Sequence, residues 1–176
     1  MLDNLFNAFK QFAGNQPNAI PYPEEAPDYN LNITGEVLLQ KFFAKYDIPE
    51  VYWNFWRRVT IKIDRTLQYP AGMISQTKTL LLKPEYANAG IIAHEFSHLS
   101  YSELSQQKRE SFAVEYNSAL QTDSLLKFLY SQKPYMKTND IEAHAEIFRY
   151  LGNKMPLQLN KYYPKLFLPP QYQTVQ

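Results

Sequence analysis

The stretch Ile91-Ile92-Ala93-His94-Glu95-Phe96-Ser97-His98 decides how this chain is read. It lies on a helix predicted over residues 85–101, opened by Pro84, whose fixed backbone angle suits a first helical turn. Residues four apart stand one turn above each other, so His94 and His98 point to the same side and can share one metal ion. Glu95 lies about 100° round from His94, near enough to reach a water at the metal without binding the metal itself. The pattern predicts zinc as a Lewis acid, with Glu95 taking the proton of a water that attacks a peptide carbonyl. The plainer reading is two histidines on an ordinary helix. A hairpin leading directly into this helix favours the metal.

Two histidines and a water leave zinc one ligand short of a catalytic site. The chain has no cysteine, so disulfides and thiolate zinc sites are impossible, and the missing ligand must be His, Asp or Glu. Asn139-Asp140-Ile141-Glu142-Ala143-His144-Ala145-Glu146 offers candidates. Glu142 and His144 are about 200° apart on a helix, so they face opposite ways and only one can serve. Glu142 and Glu146 share a face. One can bind metal while the other accepts from the free N–H of a metal-binding histidine. Each residue also has an ordinary role open to it. Glu142 could close a capping box begun by Asn139. Glu146 could pair with Arg149 for about a few tenths of a kcal/mol. His144 could pack beside Phe148.

Tyr135-Met136-Lys137-Thr138-Asn139-Asp140-Ile141-Glu142-Ala143-His144-Ala145-Glu146-Ile147-Phe148-Arg149, downstream of His94-Glu95-Phe96-Ser97-His98, resembles the gluzincin metallopeptidases of the anthrax lethal factor and Pro-Pro endopeptidase type. The resemblance covers residues 72–152. It implies a zincin-like fold in which Glu142 is the third zinc ligand and Glu146 steadies a metal-binding histidine. Tyr135 matches a tyrosine that stabilises the oxyanion, a role suited to a phenol donor. Two positions depart from the pattern. His144 stands where an aromatic residue is usual, and Ser97 replaces a glycine inside the motif.

Around this centre the chain predicts an α+β protein, a small, mostly antiparallel sheet packed on the His94–His98 helix with a helical C-terminal part. Residues 59–64 alternate apolar and polar side chains as a half-buried strand does. Residues 72–75 and 79–83, either side of Gln76-Thr77-Lys78, read as a hairpin. Thr34 suits the cap of a helix whose face carries Leu38, Leu39, Phe42, Phe43 and Tyr46. Further helices are predicted over residues 105–131 and 140–151, the latter stopped by Gly152. Residues 1–33 read as a short amphipathic helix followed by an arm rich in proline, 34–155 as the domain, and 156–176 as a tail on the surface.

With 176 residues the chain suits one domain with a real core. A net charge of +1 gives no reason to expect nucleic acid or an acidic membrane as partner. No stretch approaches the ~20 apolar residues of a membrane span. The N-terminus lacks the basic start and apolar run of a signal peptide, which predicts a cytoplasmic protein or release by another route. The expected partner is a peptide or protein substrate. The competing reading is a non-catalytic zincin-like binding or regulatory protein, associated with a phage or toxin, against which the intact Glu95 weighs.

Overall fold

The computed structural model describes residues 34–74 and 77–168. The expected N-terminal helix and proline-rich arm, and residues 169–176 of the tail, lie outside the described residues. The order of elements begins with α1 (Gly35–Lys45), a 3-10 turn (Glu50–Tyr52) and α2 (Trp53–Trp56). Three strands follow, β1 (Thr60–Ile63), β2 (Ala71–Ile74) and β3 (Thr79–Leu82). The rest is helical: α3 (Ala89–Ser102), α4 (Gln106–Thr122), α5 (Ser124–Gln132) and α6 (Asp140–Leu151), then a 3-10 segment at Leu157–Tyr162. The α+β class is as the sequence predicts. Among the described residues no helix is long and apolar enough to cross a membrane.

The helix starts follow from side-chain caps that satisfy otherwise orphaned backbone donors. Thr34 Oγ1 accepts from the Val37 N–H at 3.3 Å, Asn88 Oδ1 from Ile91 at 2.9 Å and Asn139 Oδ1 from Glu142 at 2.9 Å. Asn88 corrects one boundary. Pro84 opens only a 3-10 turn (Pro84–Tyr86), and the metal-motif helix begins at Ala89 rather than residue 85. Asp123 corrects another, splitting the helix expected over 105–131. Its carboxylate accepts from the Leu126 N–H at 2.7 Å, so a new helix starts where the old one would have continued. Gly152 ends α6 at φ +47°, a backbone conformation that favours glycine.

The sheet is mixed, not mostly antiparallel, with order β1-β3-β2. β2 and β3 form the expected antiparallel pair, Ala71 opposite Leu82. β1 joins β3 in parallel, Thr60 opposite Thr79. Alternating side chains mark a strand but carry no information about its partner. Leu80 and Leu82 are fully buried, and the chain passes from β3 through the short turn into α3. Phe96, inside the motif, stacks on Trp56 at 4.4 Å between ring centroids and meets the edge of Phe42 at 5.1 Å. All three rings are fully buried, each worth about 1.5–3 kcal/mol in removed apolar surface. They seat the back of α3 on α1 and α2.

The tail departs most from expectation. Leu159, Tyr162, Tyr163 and Leu166 belong to the core instead of lying on the surface. Backbone carbonyls of this segment accept from buried side chains: Pro164 O from Ser100 Oγ at 2.9 Å, and Lys165 O from Trp56 Nε1 at 2.9 Å. The C-terminal segment thus packs on α3 and α6 as part of the domain.

Candidate metal centre

α3 and α6 lie against each other, and the face they share carries the motif residues. His94 Nε2 stands 3.0 Å from His98 Nε2. Glu142 Oε2 lies 3.4 Å from His94 Nε2 and 3.5 Å from His98 Nε2. A tetrahedral ion with bonds of ~2.0–2.2 Å sets its ligand atoms roughly 3.3–3.6 Å apart, so this triangle suits one cation. Glu142 Oε2 is buried and has no hydrogen-bond donor, as an oxygen reserved for a cation would be. The buried group His94, His98 and Glu142 can therefore hold a metal ion, and the donor set of two imidazoles and a carboxylate fits zinc.

The charges around the triangle are arranged by two carboxylates. Burial alone would lower the His94 pKa, but the adjacent Glu142 and Glu146 carboxylates outweigh it and raise it to about 10. His98 is driven by burial down to about 4 and stays neutral. The two rings share one proton at close range, and His94 holds it. Burial pushes Glu142 and Glu146 up, yet the histidines, Tyr135 beside Glu142 and Arg149 beside Glu146 hold both below the usual glutamate value. A divalent cation held by His94, His98 and Glu142 would face the ionised Glu142 and Glu146 carboxylates in place of a proton.

Glu146 lies behind His94. Its Oε1 lies 2.7 Å from His94 Nδ1, on the ring edge away from the ligand triangle. Arg149 Nη1 stands 3.5 Å from the same oxygen, and both side chains are buried. Glu146 thus meets both the His94 ring and the Arg149 guanidinium. Asn139 caps α6 through the Glu142 backbone, while the Glu142 side chain goes to the histidines rather than closing a capping box.

Glu95 is buried, and burial raises its pKa to about 7. One backbone hydrogen bond from Met73 of β2 holds it, while Oε2 has no hydrogen-bond donor. Tyr135 sits in the turn Pro134–Lys137 with its ring centroid 6.0 Å from that of His94. Its phenol hydrogen-bonds Glu142, and burial raises its pKa well above the ordinary tyrosine value.

His144, the alternative third ligand, is turned the other way. Its Nδ1 is 2.9 Å from Ser97 Oγ, its Nε2 is 2.8 Å from the Tyr162 carbonyl oxygen, and its ring stacks on Tyr163 at 3.8 Å. Burial holds its pKa down at about 3, so the ring is neutral. The half-turn between Glu142 and His144 sends one to the histidines and the other into the core. The roles of Met73 and of Ser97, Tyr162 and Tyr163 were not legible in the sequence, since no local pattern marks a contact between distant segments.

The fold and site define an α+β protein with a buried two-histidine, one-glutamate group able to hold a metal ion. Compared with protein-family models, curated proteins and solved structures, the chain finds no match.

Proposed function

We propose that this protein is a zinc-dependent metallopeptidase of the gluzincin type, with His94, His98 and Glu142 as the zinc ligands. The observation that carries the reading is Glu95. It is a buried carboxylate next to His94 on the ligand-bearing helix, within the electrostatic reach of His94 and Glu142, with one oxygen lacking a donor. A purely structural metal site has no use for such a group.

Bound zinc would supply a Lewis acid that polarises a peptide carbonyl and makes water more acidic. Glu95, with a pKa raised to about 7, is suited to take the proton from the attacking water and pass it to the leaving amine. The Tyr135 phenol, uncharged at working pH, can donate to the oxygen on which negative charge develops. Among the described residues β2 is an edge strand beside α3, and it can offer backbone groups to an extended peptide. Glu146 and Arg149 fix the His94 ring, so the ligand geometry does not have to form during the reaction.

Glu95→Gln tests the reading. It keeps the size of the side chain and removes its basicity. Zinc binding should survive, and hydrolysis of a peptide found in a library that includes proline-containing sequences should fall by ~10² to 10⁴. Cleavage at the wild-type rate would refute the mechanism. Zinc binding with no cleaved peptide in either form would favour the non-catalytic, regulatory reading.

A further inference from the structure

Ser97 and His144 meet between α3 and α6, beside the metal ligands but not among them, and both are fully buried. The Tyr162 carbonyl 2.8 Å from His144 Nε2 can only accept, so Nε2 carries the ring proton. Nδ1 of this neutral ring is then an acceptor, and the Ser97 hydroxyl at 2.9 Å donates to it. The Tyr163 ring covers the imidazole, and its hydroxyl donates to the backbone oxygen of His144 at 3.0 Å. One set of hydrogen bonds therefore ties α3, α6 and the C-terminal segment together in the core.

The bridge lies close to the ligands along both helices. Ser97 precedes His98 by one residue, and His144 follows Glu142 by two. A helix that slips by one residue moves about 1.5 Å and turns about 100°, whereas a metal site accepts distance errors of only ~0.2 Å. Apolar contact alone permits small slides between helices. A hydroxyl donating to one ring nitrogen does not, because hydrogen bonds weaken steeply with misalignment. These are also the two positions at which the sequence departs from the lethal-factor-type pattern it resembles, and in the folded protein they are one contact.

The structure assigns Ser97 and His144 as a positioning pair for the metal centre: their bridge holds α3 and α6 at the spacing that lets His94, His98 and Glu142 close on one divalent cation. The assignment rests on these three residues being metal ligands and is independent of peptidase activity.

The test uses the full chain and compares wild type with Ser97→Ala, His144→Phe, the double variant, and Leu126→Ala. Leu126 is a fully buried residue of α5 outside the bridge and serves as a control for plain loss of stability. Zinc affinity is read by competition with a chelator, coordination by the absorption spectrum of the cobalt(II) form, and stability by thermal unfolding with metal removed. Ser97→Ala should weaken zinc binding about 10-fold and shift the cobalt bands, as loss of an outer partner of a metal site does. His144→Phe should do at least as much, and the double variant no more than His144→Phe, since the bridge is already gone. Leu126→Ala should lower the unfolding temperature but keep the affinity and the spectrum. Wild-type affinity and spectrum in Ser97→Ala would overturn the assignment, and this variant decides the matter if His144→Phe does not fold. Equal loss of affinity in Leu126→Ala would overturn it too. A wild-type protein that binds no zinc would instead remove the metal reading, and the pair's role with it.

Discussion

His94 Nδ1 and Glu146 Oε1 lie 2.7 Å apart on two helices, joining residues 52 positions apart in the chain. A carboxylate only accepts, so Nδ1 carries a proton and Nε2 is the nitrogen turned towards His98 and Glu142. The contact fixes the ring about its own axis and strengthens it as a donor to a cation. The His94 ring, and after it the Arg149 guanidinium 3.5 Å from the same oxygen, hold the Glu146 pKa below the usual glutamate value.

Glu146→Gln keeps an oxygen that can accept from Nδ1 but removes the charge, and it leaves Arg149 without its carboxylate. Zinc affinity should drop ~10- to 100-fold, measured by chelator competition. An unchanged affinity would mean that Glu146 has no part in the metal centre.

Tyr135→Phe removes the donor beside Glu142 and leaves the ring. Peptide hydrolysis should slow by about 10- to 100-fold in kcat, less than loss of a sole oxyanion donor, because water can partly replace the phenol. KM and zinc content should change little. A fall confined to KM would place Tyr135 in substrate binding rather than in stabilising developing charge.

Phe96→Ala opens a cavity between Trp56 and Phe42 at the back of α3, where all three rings are fully buried. Loss of a buried aromatic ring typically costs about 3–5 kcal/mol, and urea unfolding should report a loss in that range. A loss below ~1 kcal/mol would show that this packing does not hold α3 in place.

His144 makes stability depend on pH with a definite sign. Its folded pKa, about 3, lies below the 6.5 of the free side chain, so the unfolded chain takes up a proton that the folded one refuses. This stability is complete well above pH 6.5 and is lost as pH falls towards 3. His98, at about 4, acts in the same direction. Glu95, raised to about 7, acts in the opposite one: its contribution is present below the ordinary glutamate value and is lost as pH rises through 7. The difference between wild type and His144→Phe isolates the one residue. With metal removed, wild type should lose about 2 kcal/mol more than the variant between pH 7.5 and 5. Parallel curves would show that His144 is protonated in the folded protein.

How much could be read without coordinates depends on how local each interaction is. The pairing of His94 with His98 is a property of helical geometry, as is the opposition of Glu142 and His144, because both spacings fall within two turns of one helix. The caps at Thr34 and the stop at Gly152 are equally local and appear where the sequence puts them. The break at Asp123 is not legible in the sequence, because a single aspartate can sit inside a helix or begin a new one, and only its bond to Leu126 decides which.

Helical spacing alone puts His94, Glu95 and His98 on one helix and leaves Glu142 and His144 as candidates for a third ligand. Only the packing of α6 on α3 brings Glu142, and not His144, to the two histidines. The face of α6 that meets the histidines carries Glu142 and Glu146, while the opposite face seats His144 on Tyr163 and the Ser97 hydroxyl. Tertiary structure also drew the C-terminal segment into the core and paired β1 with β3 in parallel. The physical reason is the same in each case. Periodicity records which side of an element is apolar, but the partner that covers that side is set by the packing of the whole chain.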